Sequence, residues 1–427
     1  MTSPLHDLHY EVPGLLKPAP ARKPITVCMI VYAFYESDTR VMQYAEALAQ
    51  RGDTVEVIAL RRNSSFPEIE VLRGVTVFRV QDRIVNEPNV LSYIARILRF
   101  FFRASLLLYR RQRVRSCHLV HVHNVPDFLV FAAAPAKLQR TPILLDIHDL
   151  LPELYASKFG ISQNTFLFGL LTFVERCSAS FATHIIVANH IWRDRLAARS
   201  SYPGKCSVVR NRPDLTIFSG QRSEPLPAFS NRFLFTYPGS LNSHQGVDIA
   251  IRAFASVADR MPDADFHIYG EGSAKPSLIR LAQELGTEGR IFFHDFLPSR
   301  EIARVMAATD IAIEPKRSTS TFGNEALSTK ILEFMSLGVP VIASRTTIHA
   351  FYYDDSILQY YDCDDEFALA QQMLRLKNDP ALRRRLVESA RRYVYENTWD
   401  ACKQEYLDLV DSFTLPHFAT ACDPSYT

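Results

Sequence analysis

The chain has 427 residues, 47% of them hydrophobic, which predicts two or three folded domains and excludes a disordered or fibrous protein. Lysine and arginine number 48 against 46 acidic residues, so the net charge of +2 gives no general attraction to nucleic acid, and we expect no such partner. The seven cysteines contain no C-x-x-C pair, which indicates reduced thiols in a cytoplasmic protein rather than a zinc site or a disulfide framework.

The first 24 residues are rich in proline and lack an apolar core, so we expect a flexible leader rather than a signal peptide. No run of 18 apolar residues occurs, so we expect no membrane span. Between residues 25 and 212, apolar runs alternate with helical periods such as Arg40–Gln50, which predicts a parallel, doubly wound sheet. Its strands are expected at Ile25–Val31, Thr54–Leu60, Val75–Val80, Leu119–Val122, Ile143–Ile147 and Ile185–Val187.

A second alternation follows a polar, proline-containing stretch at residues 213–230, which we expect to be an interdomain linker. It predicts a second α/β domain over residues 231–395. The expected strands are Phe233–Tyr237, Asp265–Tyr269, Arg290–Phe293, Ile311–Ile313 and Val341–Ala343, and the expected helices are Val247–Arg260, Lys275–Leu285, Arg300–Ala307, Pro380–Tyr395 and Trp399–Phe413.

Two carboxylates eight residues apart, Glu325 and Glu333, flank a predicted helix start near Ser328. The unpaired N–H groups at this helix start favour a diphosphate, with the Lys330 ammonium beside it. Glu333, one turn further on, is placed to accept hydrogen bonds from ribose hydroxyls, and Glu325, still in the loop, is placed to reach a sugar. The spacing therefore predicts a nucleotide-sugar site. The alternative is a pair of surface glutamates on an ordinary helix.

The Glu325-x7-Glu333 pattern, followed by an apolar run, Gly338, one residue and Pro340-Val-Ile-Ala-Ser, resembles the donor-binding element of retaining glycosyltransferases of the GT-B fold, family 4 group. The resemblance covers about residues 25–412. It implies two Rossmann-like domains facing a central cleft, with the acceptor on the first domain and a nucleoside-diphosphate sugar on the second. It also implies that residues 396–427 cross back to the first domain, although a plain C-terminal hairpin fits the same pattern.

The loop after the first strand of the second domain contains Gly239, Ser240, His244 and Gln245, and its glycine lets backbone approach phosphates. It resembles the family's Gly-Arg-Leu…Lys-Gly element, but Ser240 and Gln245 stand where the family has the two cations. We expect Lys330 to replace one of them. Weaker candidates are His244, Lys316 and Arg317. Two further glycines that match the family's Gly-x-Gly of the donor site are Gly270 and Gly272.

His148 follows a buried strand, in a segment that resembles the family's Asp-x-His-Asp, whose histidine lies near the donor sugar. The alternative is a histidine that merely bonds to Asp146 or Asp149. His123 ends the preceding strand and is expected to face the same cleft, with a structural role and an acceptor contact equally open. His121 and His123 form an H-x-H pair, but no third ligand follows at a convincing spacing, so we expect no metal and no cofactor.

Asp38 and Arg40 resemble the family's Asp-x-Arg, in a loop that borders the acceptor pocket. A helix N-cap at Asp38 or Thr39 is compatible with that role. Residues 89–115 predict a helix on which four arginines share one side while apolar residues lie largely away from them. Such a helix suits an anionic membrane surface, and the alternative is a crossover helix with a solvated face. The four arginines are Arg96, Arg99, Arg103 and Arg110.

Together these features predict a cytoplasmic, retaining glycosyltransferase, peripheral on the inner face of the plasma membrane, that uses a nucleotide sugar and a lipid-linked or polysaccharide acceptor. Two alternatives stay open: a catalytically weak sugar-nucleotide-binding component of a polysaccharide assembly complex, and a sugar-nucleotide epimerase on the same fold. A dinucleotide-dependent oxidoreductase is disfavoured because the first strand is followed by Val31-Tyr-Ala-Phe-Tyr-Glu-Ser-Asp, which contains no glycine.

Overall fold

The structure, a computed structural model, describes residues 22–83, 90–219 and 232–414. Nearly all of the predicted leader, most of the predicted linker and residues 415–427 of the predicted C-terminal segment lie outside the described residues. The described chain forms two α/β domains, each built on a largely parallel sheet with helices on both faces. The expected fold class, two Rossmann-like doubly wound domains, is confirmed.

The first domain contains an eight-stranded sheet in the order β3-β4-β2-β1-β5-β6-β7-β8, in which only the β3–β4 pair is antiparallel. Its strands are β1 (Thr26–Val31), β2 (Thr54–Arg61), β3 (Ile69–Leu72), β4 (Val75–Asp82), β5 (Leu119–His123), β6 (Ile143–Ile147), β7 (His184–Val187) and β8 (Cys206–Val208). Its helices are α1 (Thr39–Gln50), α2 (Val90–Val114), α3 (Ala134–Leu138), α4 (Leu151–Phe159), α5 (Phe166–Phe181) and α6 (His190–Ser200).

The second domain contains a six-stranded sheet in the order β11-β10-β9-β12-β13-β14, parallel throughout. Its strands are β9 (Phe233–Pro238), β10 (Ala264–Tyr269), β11 (Ile291–His294), β12 (Ile311–Glu314), β13 (Val341–Ser344) and β14 (Gln359–Tyr361). Its helices are α7 (Val247–Val257), α8 (Lys275–Glu284), α9 (Ser299–Ala308), α10 (Thr321–Glu325), α11 (Thr329–Ser336), α12 (Thr347–Tyr352), α13 (Glu366–Asn378) and α14 (Pro380–Glu396).

The last helix, α15 (Trp399–Thr414), leaves the second domain and packs on the first. Tyr406 of α15 is fully buried, stacks on Tyr44 of α1 at 4.1 Å between ring centroids, and places its hydroxyl 3.1 Å from Nδ1 of His121. An ion pair of 3.0 Å between Arg51 and Asp411 supports the same contact at the surface. The two domains are therefore joined by two chain crossings, one before β9 and one at the start of α15.

Three short strands escape the sequence prediction, namely β3, β8 and β14, each with three or four residues. Runs of this length carry too little periodicity to be distinguished from loops. The predicted helix Val247–Arg260 ends earlier, because α7 stops at Val257 and a 3-10 turn follows. Within the described ranges, none of the helices combines the length and apolar character needed to cross a membrane.

Candidate active site between the two domains

Two glycine-containing loops lie side by side at the carboxyl ends of β9 and β10. The Gly239 N–H donates to the Tyr269 carbonyl at 2.9 Å. A Cβ atom at Gly270 would lie 1.9 Å from the Gly239 oxygen, and one at Gly272 would lie 2.3 Å from the Leu241 oxygen. No side chain fits at either position, so the two loops pack backbone to backbone and leave a smooth surface that a phosphate group can approach.

The helix α11 begins beside these loops, with Ser328 as its N-cap residue. The Ser328 side chain makes no capping hydrogen bond, and its hydroxyl oxygen is buried without a partner among the described residues. The first N–H groups of α11 therefore keep their hydrogen-bonding capacity and carry the positive end of the helix dipole. The helix ends at Ser336, and Gly338, whose φ of +71° is left-handed, follows it before Pro340. The predicted helix start near Ser328 agrees with these bounds.

A cavity of about 550 Å³ lies between the glycine loops and α11. Its polar end is formed by Gly239, Ser240, Gly270 and Lys330, and Glu333 also lines it. The apolar part of its wall comprises Phe218, Phe296, Leu297, Ile302 and Met306. The cavity thus combines a phosphate-type surface with an apolar wall of the kind that holds a flat aromatic ring.

Lys330 lies in the first turn of α11, and its ammonium nitrogen is 3.0 Å from the Glu314 carboxylate and 4.2 Å from the ring centroid of Tyr237. Its side chain is only 15% exposed, so it is not a solvated helix lysine. Burial acts to lower the pKa of Lys330, but Glu314 and Tyr237 outweigh it and raise the pKa above its ordinary value. Lys330 is therefore a fixed, charged group at the edge of the cavity.

The weaker candidate cations are engaged elsewhere. Lys316 is buried and donates to a backbone carbonyl at 2.6 Å, and burial lowers its pKa to about 8. Arg317 forms ion pairs with Asp248 and, at 3.1 Å, with Asp364. His244 is buried, and burial together with the nearby lysines lowers its pKa to about 4, so it is neutral near pH 7.

Ser240 and Gln245, the two neutral residues that stand where the family has cations, bond to each other. The Gln245 side-chain amide donates to the Ser240 hydroxyl at 3.2 Å. The loop is therefore closed by a neutral hydrogen bond, and among the residues at the polar end of the cavity the positive charge comes from Lys330.

Glu333 lies one turn into α11 and lines both the large cavity and a neighbouring one of about 230 Å³. Burial raises its pKa to about 7, and the nearby Lys330 only partly offsets this. The smaller cavity is bordered on the first domain by Asp38 and His148 and on the second by Thr329. Glu333 therefore lies where the two domains meet.

The prediction that Glu325 lies in a loop is wrong, because Glu325 is the last residue of the short helix α10. Its carboxylate is held by Arg195 of the first domain through two hydrogen bonds, one of them 2.9 Å from Nε to Oε2. The backbone carbonyl of Glu325 accepts a 3.1 Å bond from the Asn189 amide, also of the first domain. A contact between Glu325 and a sugar stays a prediction.

Asp146 lies at the centre of a buried polar cluster behind His148. Its carboxylate accepts two bonds from Arg40, of 2.8 and 2.6 Å, and lies 3.0 Å from His123 Nδ1 and 2.9 Å from His148 Nε2. Burial would raise the pKa of Asp146, but Arg40 and His148 outweigh it and hold that pKa well below its usual range. Burial would likewise lower the pKa of His148, and Asp146 reverses this and raises it. His148 is therefore positioned by Asp146.

The three predicted acceptor-side residues, Asp38, Arg40 and His123, differ in burial and in hydrogen-bond partners. His123 has no exposed surface, so the expectation that it faces the cleft is wrong; it ends β5, stacks on Tyr44 of α1 and bonds to Asp146. Arg40 is 6% exposed and bonds to Asp146 and Asn211. Asp38 caps α1 by accepting from the Val41 N–H at 3.1 Å.

His121, His123 and Asp146 lie close enough together to resemble a metal-ligand set. The chemistry does not fit a cation, because the Arg40 guanidinium already occupies both oxygens of Asp146. Each histidine also uses its Nδ1 within the protein, since His121 Nδ1 lies 3.1 Å from the Tyr406 hydroxyl and His123 Nδ1 lies 3.0 Å from Asp146.

Glu314, Arg195 and Phe218 also belong to the site and were not predicted from the sequence. Glu314 ends the strand β12 and thus stands at the carboxyl edge of the sheet, the same position that singled out His148. Arg195 lies within the polar helix α6 and Phe218 lies in the interdomain crossing, so neither carried a local signal.

Comparison with known proteins agrees with this geometry. A family model described as "Glycosyl transferases group 1" matches residues 221–393, and one described as "Glycosyl transferase 4-like domain" matches residues 37–212. Alpha-D-kanosaminyltransferase of Streptomyces kanamyceticus is 22% identical over 369 residues, which cover 82% of this chain and 92% of that protein.

Solved structures show the same fold. Sucrose-phosphate synthase from Thermosynechococcus elongatus has a TM-score of 0.72 at 18% identity, with 91% of this chain and 100% of that chain covered. Anabaena Alr3699/HepE in complex with UDP and glucose has a TM-score of 0.68 at 16% identity, with 91% and 100% covered. Both family models together span the two domains described above. The chain therefore belongs to the group 1, family 4 type of GT-B glycosyltransferases.

Proposed function

We propose that this glycosyltransferase moves a sugar, with retention of anomeric configuration, from a nucleoside-diphosphate sugar to a lipid-linked or polysaccharide acceptor. The observation that carries the proposal is the 550 Å³ cavity, in which a glycine-loop surface, the start of α11 and the Lys330 ammonium meet an apolar wall. A nucleoside diphosphate fits this arrangement, because its phosphates need N–H donors and positive charge while its base needs an apolar surface. The complex of Anabaena Alr3699/HepE with UDP and glucose supports the same donor class.

Each side chain of the site has a proposed role. The α11 N–H groups and Lys330 stabilise the leaving diphosphate, and Glu333 accepts hydrogen bonds from the ribose hydroxyls. His148, held by Asp146, contacts the donor sugar from the first domain, and Glu325, held by Arg195, approaches it from the second. Retention requires the acceptor hydroxyl to enter on the face that the leaving group occupies, so the acceptor belongs between Asp38 and His148 in the smaller cavity.

Chemistry by side chains and backbone dipoles alone fits this proposal, so we propose no metal and no cofactor. The group that most resembles a metal site is occupied by Arg40. Loss of an anionic leaving group needs a positive charge, and Lys330 supplies it beside the glycine loop.

We further propose that the protein acts at the cytoplasmic face of a membrane, held there by α2. Residues 90–115 contain seven arginines and no acidic residue. Large apolar side chains are exposed beside the arginines, among them Leu98 (42% exposed), Phe102 (66%) and Leu106 (49%). An exposed helix face that combines apolar and basic side chains suits the interface of an anionic bilayer better than a purely solvated face.

A panel of UDP-, GDP- and ADP-sugars tests the donor class by thermal shift, since a ligand that binds the folded state raises the melting temperature by mass action. Release of nucleoside diphosphate with and without added acceptor then separates the functions. Stabilisation without turnover indicates the weak sugar-nucleotide-binding protein, and recovery of an isomerised donor sugar indicates the epimerase. No stabilisation by any donor contradicts the proposal.

A further inference from the structure

Glu314 is the last residue of β12 and is buried beneath the donor cavity. One of its carboxylate oxygens lies 3.0 Å from the Lys330 ammonium. The other, Oε1, is buried without a hydrogen-bond partner in the part of the chain that the structure describes. A buried carboxylate with one free oxygen is costly unless a cation lies close by. The Lys330 contact is therefore the interaction that makes Glu314 tolerable at this position.

Lys330 is enclosed from three sides. Glu314 lies on one side, the ring of Tyr237 lies 4.2 Å away on another, and a Cβ atom at Gly239 would lie 3.0 Å from the ammonium nitrogen. The Tyr237 hydroxyl donates to the Ser240 carbonyl at 3.0 Å, which fixes the ring under the same loop. The ammonium group thus lies directly beneath the backbone that approaches the phosphates.

The charges of this cluster support one another. Burial would raise the pKa of Glu314, but Lys330 and Lys316 outweigh it and hold the pKa below its ordinary value, so Glu314 is ionised at neutral pH. Lys316 itself is held by a backbone carbonyl at 2.6 Å. Glu314 therefore has one ammonium group that lies both within contact distance and at the cavity, that of Lys330.

We propose that Glu314 is a positioning residue, which holds the Lys330 ammonium under Gly239 and keeps it protonated for the departing diphosphate. This inference rests on the proposed function, and it explains how a loop with neutral residues at 240 and 245 still presents a cation. Because the Glu314 charge offsets part of the attraction of Lys330 for a bound diphosphate, the pair acts on turnover more than on ground-state donor binding. Lys330 stabilises the negative charge that develops on the leaving diphosphate.

The first test needs no ligand. In Glu314→Gln, the buried Lys330 ammonium loses its counter-charge, so its pKa in the folded protein falls below the unfolded value. The unfolded chain then binds more protons than the folded chain in alkaline solution, and the stability of the variant rises with pH relative to wild type. We expect the gap in melting temperature between Glu314→Gln and wild type to narrow from about pH 8 to about pH 10. A gap that is constant with pH overturns the inference.

The second test measures donor turnover in a double-mutant cycle with Lys330→Met. We expect Glu314→Gln to lower kcat about tenfold in the wild-type background and to have no further effect in the Lys330→Met background, because Glu314 acts through Lys330. A further loss of turnover in the double variant overturns the inference. If Glu314→Gln does not fold because it leaves Lys330 as an unpaired buried charge, the double variant can still be measured, since both of its substituted side chains are neutral.

A matched control is Glu366→Gln, which removes a carboxylate 37% exposed on α13, 3.8 Å from Arg252 and outside the cavity. It is expected to leave both the pH dependence of the melting temperature and kcat unchanged. A failure of the proposed function can be distinguished from a failure of this inference. If no nucleotide sugar binds the wild-type protein, the proposed function is wrong. The pH dependence of the melting-temperature gap still decides whether Glu314 keeps Lys330 charged.

Discussion

Arg195 of the first domain and Glu325 of the second form a bidentate ion pair across the cleft, with Nε donating to Oε2 at 2.9 Å. The pair fixes, from the opposite domain, the carboxylate that the sequence spacing predicts to reach a sugar. The Asn189 amide reinforces it by donating to the Glu325 backbone carbonyl at 3.1 Å. The orientation of the Glu325 side chain therefore depends on contacts from the first domain.

The first prediction follows from this pair. Arg195→Gln frees the Glu325 carboxylate to rotate, so the affinity for a nucleotide sugar should fall about tenfold while the affinity for the nucleoside diphosphate alone stays the same. Calorimetry with both ligands gives the ratio. Arg193→Gln is the matched control, because Arg193 lies on the same helix and pairs with the exposed Asp194 instead. An equal loss for both ligands means that Arg195 supports the fold of the cleft and not the sugar contact.

The second prediction concerns Glu333 as the acceptor of ribose hydroxyl hydrogen bonds. Glu333→Ala should weaken nucleoside-diphosphate binding by about 1.5–3 kcal/mol, the range for hydrogen bonds to charged groups. The measurement is calorimetric titration of a variant whose melting curve confirms folding. Undiminished affinity would remove Glu333 from the nucleotide site.

The third prediction uses the pKa of the same residue. Burial raises the pKa of Glu333 from 4.5 to about 7 in the folded protein. The folded state therefore binds the proton more tightly than the unfolded state, and this contribution to stability is full below about pH 4.5 and lost as the pH rises through about 7. Relative to Glu333→Gln, which does not titrate, wild type should lose stability across this window. Parallel melting temperatures of the two proteins from pH 4.5 to 7 would contradict the raised pKa of the buried Glu333 carboxyl group.

Most of the fold was predictable because strands and helices alternate along each domain, and most of them are long enough to show the apolar periodicity of a strand or a helix. The position of α11 was predicted closely, since Ser328, Gly338 and Pro340 are local signals that act on their own neighbours. The partners of the site were not predictable in the same way. Glu314 meets Lys330 only because parallel strands place β12 beside the glycine loop.

The state of the charged residues depends even more on tertiary contacts. Arg40 was expected beside the acceptor, and it lines the smaller cavity while being held by Asp146, which lies 106 residues away along the chain. The sequence around Arg40 predicts a loop followed by a helix start. That pattern is compatible with either a buried or an exposed guanidinium group. Only the pairing of β5 with β6 and the packing of α1 on the sheet decide between them.

The fourth prediction isolates the charge of Lys330 from its volume. Lys330→Met should lower kcat by about a hundredfold, the usual cost of one preorganised group that stabilises charge in the transition state, and should weaken donor binding much less. Steady-state release of nucleoside diphosphate gives kcat and KM separately. If turnover survives, another cation serves the leaving group, and Lys316 is the next to be replaced because it lies in the same buried cluster.

The last prediction tests the basic face of α2. Each basic residue near an anionic surface contributes on the order of 1 kcal/mol, so replacing four arginines by glutamine should release the protein from anionic vesicles, and high salt should do the same. The variant carries glutamine at 96, 99, 103 and 110. The control carries glutamine at four exposed arginines of α14, at 384, 385, 391 and 392, which have the same total charge on another surface. Sedimentation with vesicles of anionic and of neutral lipid separates the cases. Equal release by both variants means that total charge, and not the α2 face, governs binding. If the wild-type protein does not bind anionic vesicles at low salt, the exposed apolar and basic side chains of α2 do not bind a membrane.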